Sequence, residues 1–270
     1  QSAGGRGQSS RICRGKTSDE KMVRNVVRKV TGRKTPGEAG VHRVRVRGYR
    51  TVRGFDPFLV LDACDSSGPD DYIKGLPLHP HRGIETVTYL INGEIDHKDS
   101  LGNSGVINSG ESQWMTAGSG IMHEEMPQAS PRMLGLQFWV NLPAKDKMAE
   151  PKYGTITRDM IPVVDEENAT VRVNSCEYDG TPGAFMPEYV KARFLDVMVK
   201  PGAQWHIATE PEDTVFVYIL LGSASFEPGQ TPFESKSAML FTGGDGLAVT
   251  AGREGARIVF VSGKPLGVEV

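Results

Sequence analysis

The chain has 270 residues, of which 38% are hydrophobic and 24% charged, and its formal net charge is -2. These values are typical of a globular protein and exclude a general electrostatic attraction to nucleic acid or to a membrane surface. No apolar run approaches the roughly 18 residues of a membrane-spanning helix, and three widely spaced cysteines (Cys13, Cys64 and Cys176) exclude a disulfide framework and favour a reducing, cytoplasmic compartment.

Residues 1–21 are rich in Gln, Ser, Gly and Arg and have no apolar periodicity. We expect a disordered leader, with Met22 as a natural start. The basic, serine-rich composition leaves a second interpretation open, in which the segment is the end of an organelle-targeting sequence. On that interpretation the protein would be organellar.

Short strands are predicted from Val41 onward. Val41 to Arg47 alternates valine with basic residues, which is typical of a strand with one apolar face. The basic face is either solvated or a contact strip for an acidic partner; the strip and its extension comprise Arg43, Arg45, Arg47, Arg50 and Arg53. Further strands are predicted at Phe55 to Asp62, Ile84 to Ile91, Gln113 to Thr116 and Leu134 to Asn141, and Asn92-Gly93 indicates a hairpin.

Two histidines separated by one residue form the most informative motif. His79 and His81 flank Pro80, which favours an extended backbone. Because alternate side chains of an extended segment share a face, both imidazoles are predicted to point the same way.

A second pair with the same spacing, His123 and Glu125, lies downstream. Two facing strands could therefore bring three imidazoles and one carboxylate together. Nitrogen and oxygen donors without a thiolate suit a redox-active first-row metal with open coordination positions. Ordinary surface or core histidines are the alternative. His97 lies among charged residues, and we expect it to be exposed without a ligand role.

Lys145 to Pro162 is charged and bounded by prolines, and is predicted to be a linker. Short strands resume beyond it, ending with Leu247 to Thr250 and Arg257 to Ser262. The segment around Trp205-His206 resembles a degenerate copy of the histidine strand, but Ala208 stands where a second histidine would be needed. The second half is therefore predicted to be a duplicated barrel without a metal.

Several long motifs in the first half closely resemble the pirin family. They are Phe55-Asp-Pro-Phe-Leu-Val-Leu-Asp62, His79-Pro-His-Arg-Gly-Ile-Glu-Thr-Val-Thr-Tyr-Leu90, Gln113-Trp-Met-Thr-Ala-Gly118, Gly120-Ile-Met-His-Glu-Glu-Met-Pro127 and Leu136-Gln-Phe-Trp-Val-Asn-Leu142. The resemblance implies an all-β bicupin, with two antiparallel, jelly-roll-like barrels of the cupin type. We expect a metal-binding barrel at residues 22–145 and a metal-free barrel at residues 146–270.

The resemblance also implies the ligands and the chemistry. The ligands would be His79, His81, His123 and Glu125, holding Fe(II) or another divalent first-row metal. Some family members resemble quercetin 2,3-dioxygenase, which implies a flavonol-like substrate, dioxygen, and Glu125 as the base that takes the substrate's hydroxyl proton. Others act as iron-dependent co-regulators that contact transcription factor complexes, which implies a regulatory protein partner instead.

Further residues are predicted near the site. In the wider cupin superfamily a glutamate shortly after His-x-His is a ligand, and here it would be Glu85. Along a straight strand it would lie roughly 13 Å from His81, too far for a shared metal, although Gly83 could permit a reversal. We therefore prefer Glu125 and assign Glu85 to supporting hydrogen bonds. Gln137 is predicted to face either the pocket or solvent, and Met115 and Met122, with Phe138 and Trp139, are candidate pocket walls or ordinary core.

Overall fold

The computed structural model describes residues 22–31, 33–36, 42–45 and 54–270, with the backbone alone at 33–36 and 42–45. The predicted leader at residues 1–21 lies outside this range. Strands dominate, and short 3₁₀ turns occur at Pro69–Asp71, Ala144–Asp146 and Arg158–Met160. The predicted all-β class is confirmed.

The strands are numbered in chain order. The first twelve are β1 (Val26–Thr31), β2 (Arg33–Pro36), β3 (His42–Arg45), β4 (Phe58–Ser66), β5 (Leu76–His81), β6 (Ile84–Asn92), β7 (Glu94–Asp99), β8 (Ser104–Asn108), β9 (Ser112–Thr116), β10 (Ile121–Pro127), β11 (Met133–Asn141) and β12 (Lys152–Ile156). The remaining ten are β13 (Val163–Asp165), β14 (Ala169–Ser175), β15 (Glu177–Tyr178), β16 (Thr181–Pro182), β17 (Arg193–Val199), β18 (Gln204–Ala208), β19 (Thr214–Ser225), β20 (Phe233–Glu234), β21 (Ser237–Phe241) and β22 (Gly246–Gly263).

The N-terminal barrel consists of two antiparallel sheets. One has the order β12-β9-β6-β11-β4-β3-β2, and the other has the order β5-β10-β7-β8. Side chains from the two sheets meet between them: Gln137 of β11 donates to Glu125 of β10, and the ring of Trp139 contacts that of His81 on β5. The space between these sheets is therefore the place where a site can form.

Strand β11 divides its side chains between the barrel interior and the second half of the molecule. Leu136, Phe138 and Val140 are buried in a core shared with residues of the C-terminal half, whereas Gln137 and Trp139 contact residues of the four-stranded sheet. This is the alternation of an extended strand with both faces covered. The predicted period at 134–141 is confirmed, and Gln137 faces the interior.

The predicted hairpin at Asn92-Gly93 is wrong. Strand β6 belongs to the seven-stranded sheet and β7 to the four-stranded sheet, so the chain passes from one sheet to the other at this point. Gly93 has φ +118°, and a Cβ there would lie 2.7 Å from the sulfur of Met133. The glycine provides a tight passage between sheets rather than a two-residue turn within one sheet.

The C-terminal barrel is formed by a sheet of order β1-β21-β19-β22-β17-β14-β13, with β18 on β22 and β20 on β19. The two strands predicted at 247–250 and 257–262 are one continuous strand, β22. Its first part pairs with β18 and its last part with β17. The interior of the C-terminal barrel is filled by apolar side chains, including Val197, Trp205 and Phe260.

Two strands join the sheet of the other half of the chain. Strand β1 pairs with β21 in the C-terminal sheet, and β12 pairs with β9 in the N-terminal sheet. A boundary between residues 145 and 146 places each of these two strands in the half of the chain whose sheet it does not join. The prediction of a linker at Lys145 to Pro162 is wrong, because β12 lies within it.

The two barrels share one apolar core. Rings of Phe58 and Phe138 from the N-terminal sheet contact the ring of Phe216, and Phe138 also contacts Phe194. At the edge of this core, Tyr89 donates to Asp196 over 2.5 Å, and Asp196 forms an ion pair with Arg257. The seven-stranded sheet is thus held on one face by the second barrel, which leaves its other face for the site.

Candidate metal centre

Strands β5 and β10 bring the two histidine-containing pairs together as hydrogen-bonded neighbours. In their antiparallel register His79 lies opposite His123, and His81 lies opposite Ile121. The register shifts between His123 and Glu125, which indicates a bulge. The predicted meeting of the two pairs is confirmed, although the strands lie side by side in one sheet rather than facing each other.

The three imidazoles form a compact cluster. Their ring centroids are 4.4 to 4.9 Å apart, and one nitrogen from each ring lies within 4.8 Å of the others. His123 and His81 are buried and His79 is half-buried. This spacing allows three nitrogens to converge on one divalent ion without a change of fold.

Glu125 completes the cluster on one side. Its Oε2 lies 3.8 Å from Nε2 of His123 and 3.9 Å from Nε2 of His79. At 4% exposure the carboxylate is removed from solvent. The set offers three nitrogens and a carboxylate oxygen, with no thiolate.

The protonation of the histidines suits metal binding. Burial, together with the neighbouring imidazoles, lowers the pKa of His81 and of His123 to about 3, so both rings are neutral near pH 7. Nδ1 of His79 lies 2.8 Å from the carbonyl oxygen of Pro77, and a proton on Nδ1 would leave Nε2 as the acceptor that faces the cluster.

Buried ring nitrogens without a hydrogen bond provide the test of whether these residues fit a metal. Nε2 of His81 and Nε2 of His123 have no partner in the described part of the chain. Buried polar atoms are almost always satisfied, and a metal ion would satisfy both. The donor set therefore fits a divalent metal.

Three polar side chains support Glu125 from the seven-stranded sheet. Nε2 of Gln137 donates to Oε1 of Glu125 and to Oγ1 of Thr88, each over 2.9 Å, and Nε1 of Trp139 donates to Oε1 of Gln137 over 3.1 Å. Because Gln137 holds Oε1, Oε2 is the oxygen left near the histidines. The open question about Gln137 is thus resolved in favour of the site.

The other predicted neighbours are distributed differently. Met115 is fully buried in an apolar cluster against which Trp139 packs. Met122 is 40% exposed on the face of β10 opposite to His123, so it does not reach the site. Phe138 belongs to the core between the barrels.

Glu85 lies on the other face of its sheet. It alternates with Thr86 and shares a face with Val87 and Tyr89, which pack toward the second barrel. Oγ1 of Thr116 donates to it over 2.8 Å, and burial raises the pKa of its carboxyl group. Glu85 is therefore a structural group outside the histidine cluster.

His97 was predicted to be exposed, and this prediction is wrong. It is 6% exposed, lies opposite Glu125 in the pairing of β7 with β10, and stacks on Tyr153 with centroids 5.6 Å apart. Its Nε2 lies 2.8 Å from Nε2 of Gln113. The charged sequence neighbours do not predict the burial of His97, because alternate residues of β7 face opposite sides of the sheet.

An apolar cavity adjoins the carboxylate. Glu125, Gln137 and Thr88 line it together with mostly apolar residues. The apolar walls include Tyr72, Leu90, Ile95 and Met133, which pack against one another. An apolar pocket with few polar groups is suited to a largely apolar ligand.

The predicted basic strip lies outside the residues whose side chains are described. Arg47, Arg50 and Arg53 lie outside the described residues, and only the backbone is described at Arg43 and Arg45.

In the described ranges no helix has the length and apolar character needed to cross a membrane.

Comparison with known proteins agrees with the fold and with the motifs. The pirin family model matches residues 40–140, and the model of the pirin C-terminal cupin domain matches residues 194–270. The chain is 38% identical to a pirin-like protein of Caulobacter vibrioides over 92% of this chain and 90% of that protein. It is 37% identical to a Pseudomonas aeruginosa protein named "Putative quercetin 2,3-dioxygenase", over 90% of this chain and 87% of that protein.

A solved structure supports the same assignment. The crystal structure of a quercetin 2,3-dioxygenase from Acinetobacter baumannii matches with a TM-score of 0.82 and 29% identity, covering 91% of this chain and 88% of the other. The two barrels are therefore cupin domains, and the predicted bicupin fold is confirmed. The chain belongs to the pirin family.

Proposed function

We propose that this protein is an Fe(II)-dependent dioxygenase that cleaves flavonols such as quercetin. The observation that carries the proposal is the cluster of three imidazoles beside Glu125, a residue that also lines an apolar cavity. The similarity to proteins named quercetin 2,3-dioxygenase supports the same reaction class. The three widely spaced cysteines of the sequence support a reducing, cytoplasmic location.

In this proposal His79, His81, His123 and Glu125 hold the metal. Fe(II) is the ion we infer, and other divalent first-row metals share the preference for such donors. When bound, the ion would supply a Lewis-acidic, redox-active centre for reaction with dioxygen. Four protein ligands leave positions open on an ion that prefers six, as a catalytic site requires.

The protein's own groups bind and deprotonate the substrate. The apolar walls at Tyr72, Leu90 and Met133 would contact the flavonol rings and exclude water. Glu125 would take the proton of the substrate's 3-hydroxyl on Oε2 and would give up its place as a ligand in that step, because Gln137 already occupies Oε1. Ring cleavage by dioxygen would then release carbon monoxide.

The test uses purified protein loaded anaerobically with Fe(II) and then given quercetin in air. We expect oxygen uptake and carbon monoxide release in step with loss of quercetin. Glu125→Gln should lower kcat by about 100-fold or more, which is the range for loss of a general base. Glu124→Gln, on the opposite face of β10, is the matched control. An absence of turnover by fully loaded protein would refute the proposal for this substrate.

A further inference from the structure

The mouth of the C-terminal barrel contains a second cavity, which is unrelated to the histidine cluster. It has a volume of about 460 Å³ and lies along β18. The barrel interior beneath it is filled by Trp205, Phe260 and other apolar residues. A ligand would therefore occupy the mouth and not the core.

One edge of β18 is open to this cavity. Among the described strands β18 pairs with β22 alone. Backbone bonds from Ala251 to Ala203 and from Thr209 to Asp245 show that the odd-numbered residues direct their N–H and C=O groups toward β22. The backbone groups of Gln204, His206 and Ala208 therefore face the open edge.

Side chains close the two ends of this edge but leave its centre open. Nδ2 of Asn168 donates to the carbonyl of Gln204 over 3.1 Å, and Nη2 of Arg193 donates to the carbonyl of Ala208 over 2.8 Å. The N–H and C=O of His206 lie between these two contacts. Among the described residues, both backbone groups of His206 are thus left for a ligand, beside the N–H groups of Gln204 and Ala208.

The cavity separates positive and negative charge. Arg193 stands at one end, where its guanidinium donates to Ala208 and lies 5.3 Å from the centroid of the Phe260 ring. The carboxylates of Asp213, Glu177 and Glu210 also interact electrostatically with its charge. At the other end are Glu166, Glu167 and Asp179. Trp205 donates to Tyr178, and Tyr178 donates to Glu166, so this carboxylate is fixed in place.

We propose that this cavity binds a short peptide with free termini, in an extended form parallel to β18. The carboxylate would pair with Arg193, and the ammonium group with Glu166, Glu167 or Asp179. In a parallel pair one residue bonds to the two residues that flank its neighbour, so a tripeptide is the shortest peptide that can use both groups of His206. Its length, roughly 10 Å at 3.3 Å per residue, fits within the roughly 13 Å between residues 204 and 208.

The test is a titration of ¹⁵N-labelled full-length protein with trialanine, followed by NMR. We expect the amide signals of His206 and its neighbours to shift. N-acetyl-trialanine amide, which has neither terminal charge, should bind about tenfold or more weakly because two charge-assisted contacts are lost. The absence of shifts at about 10 mM peptide, or equal binding of the neutral analogue, would overturn the proposal.

Variants distinguish this site from non-specific binding. Arg193→Met keeps an aliphatic stem over Phe260 and should weaken binding about tenfold, whereas Arg193→Lys should retain part of it. Glu167→Gln should also weaken binding, and Glu212→Gln, a surface change outside the cavity, should not. Thermal unfolding checks that each variant is folded. Unchanged affinity in Arg193→Met and Glu167→Gln would contradict the assignment, while His79→Ala should bind the peptide normally.

Discussion

Gln137 is the residue on which the orientation of Glu125 depends. It holds Oε1 by one hydrogen bond and is itself held by Thr88 and Trp139. Such supporting groups orient a ligand before the metal arrives, and their loss commonly costs 10- to 100-fold in affinity. The single amide therefore connects the two sheets of the barrel to the metal site.

We predict that Gln137→Leu weakens Fe(II) binding by about 10- to 100-fold while the protein remains folded. The carboxylate would lose its fixed orientation, although all four ligands would still be present. Anaerobic Fe(II) titration measures the affinity. Gln204→Leu, an exposed glutamine in the other barrel, is the control. Equal affinity in Gln137→Leu and the native protein would show that Gln137 has no positioning role.

His81 and His123 make the stability of the metal-free protein depend on pH. Their pKa values are about 3 in the folded chain, against an ordinary value of 6.5 for histidine. As pH falls below about 6.5, these histidines take up protons in the unfolded chain before they do so in the folded chain. Their contribution to the free energy of unfolding is therefore fully present above this pH and is lost on acidification toward pH 3. Each histidine contributes up to about 1.4 kcal/mol per pH unit in this window.

Urea unfolding of the metal-free protein should therefore show lower stability at about pH 5 than at about pH 7. The variant His81→Asn/His123→Asn should show a clearly smaller difference, because its buried site no longer resists protonation. His206→Asn, at an exposed position, should behave as the native protein does. An unchanged pH dependence in the double variant would contradict the assignment of the effect to these two imidazoles.

At the scale of the element, Gly93 connects β6 of one sheet to β7 of the other. We predict that Gly93→Ala destabilises the protein by about 2–4 kcal/mol, since it combines a positive φ with a Cβ that would meet Met133. Gly102→Ala has a similar φ of +88° but nothing within 4 Å, and should cost about 1 kcal/mol. Urea unfolding compares the two, and equal losses would argue against the close passage at Gly93.

The histidine strands show what local sequence can predict. Pro80 and the spacing of two define the face shared by His79 and His81, because both depend on the backbone of one strand. Their proximity to His123 and Glu125 is predicted from the ligand types, because three imidazoles and one carboxylate suit a single first-row metal ion. The resemblance of long motifs to a known family supplied the bicupin fold.

The errors arose where pairing between distant segments decides the structure. Asn92-Gly93 marks the end of β6 correctly, but it does not specify which sheet receives the next strand. His97 has charged neighbours, yet its own position opposite Glu125 is set by the register of β7 on β10. The linker prediction failed for the same reason, since β12 becomes a strand by pairing with β9.

At the scale of the whole molecule, the barrels are joined by a common core and by a buried polar contact. The hydroxyl of Tyr89 crosses from the first barrel to Asp196 of the second, where Arg257 completes the group. Strands β1 and β12 are also exchanged between sheets. We infer that the two barrels unfold together.

We predict that Tyr89→Phe lowers the free energy of unfolding by about 1.5–3 kcal/mol, the range for a buried hydrogen bond to a charged group. Unfolding should remain a single transition when followed by tryptophan fluorescence and by circular dichroism. Tyr189→Phe removes a hydroxyl outside this contact and should have little effect. Two separate transitions, with Tyr89→Phe shifting only one, would contradict joint unfolding.

The central claim is that His79, His81, His123 and Glu125 hold one metal ion. The most direct measurement is X-ray absorption at the iron edge of anaerobically loaded protein, together with the bound iron per chain in four single alanine variants. We predict one ion per chain, a spectrum containing three imidazoles, and at least about 100-fold weaker binding when any of the four is replaced. A spectrum without imidazole ligands, or full iron binding by the His123→Ala and Glu125→Ala variants, would contradict it.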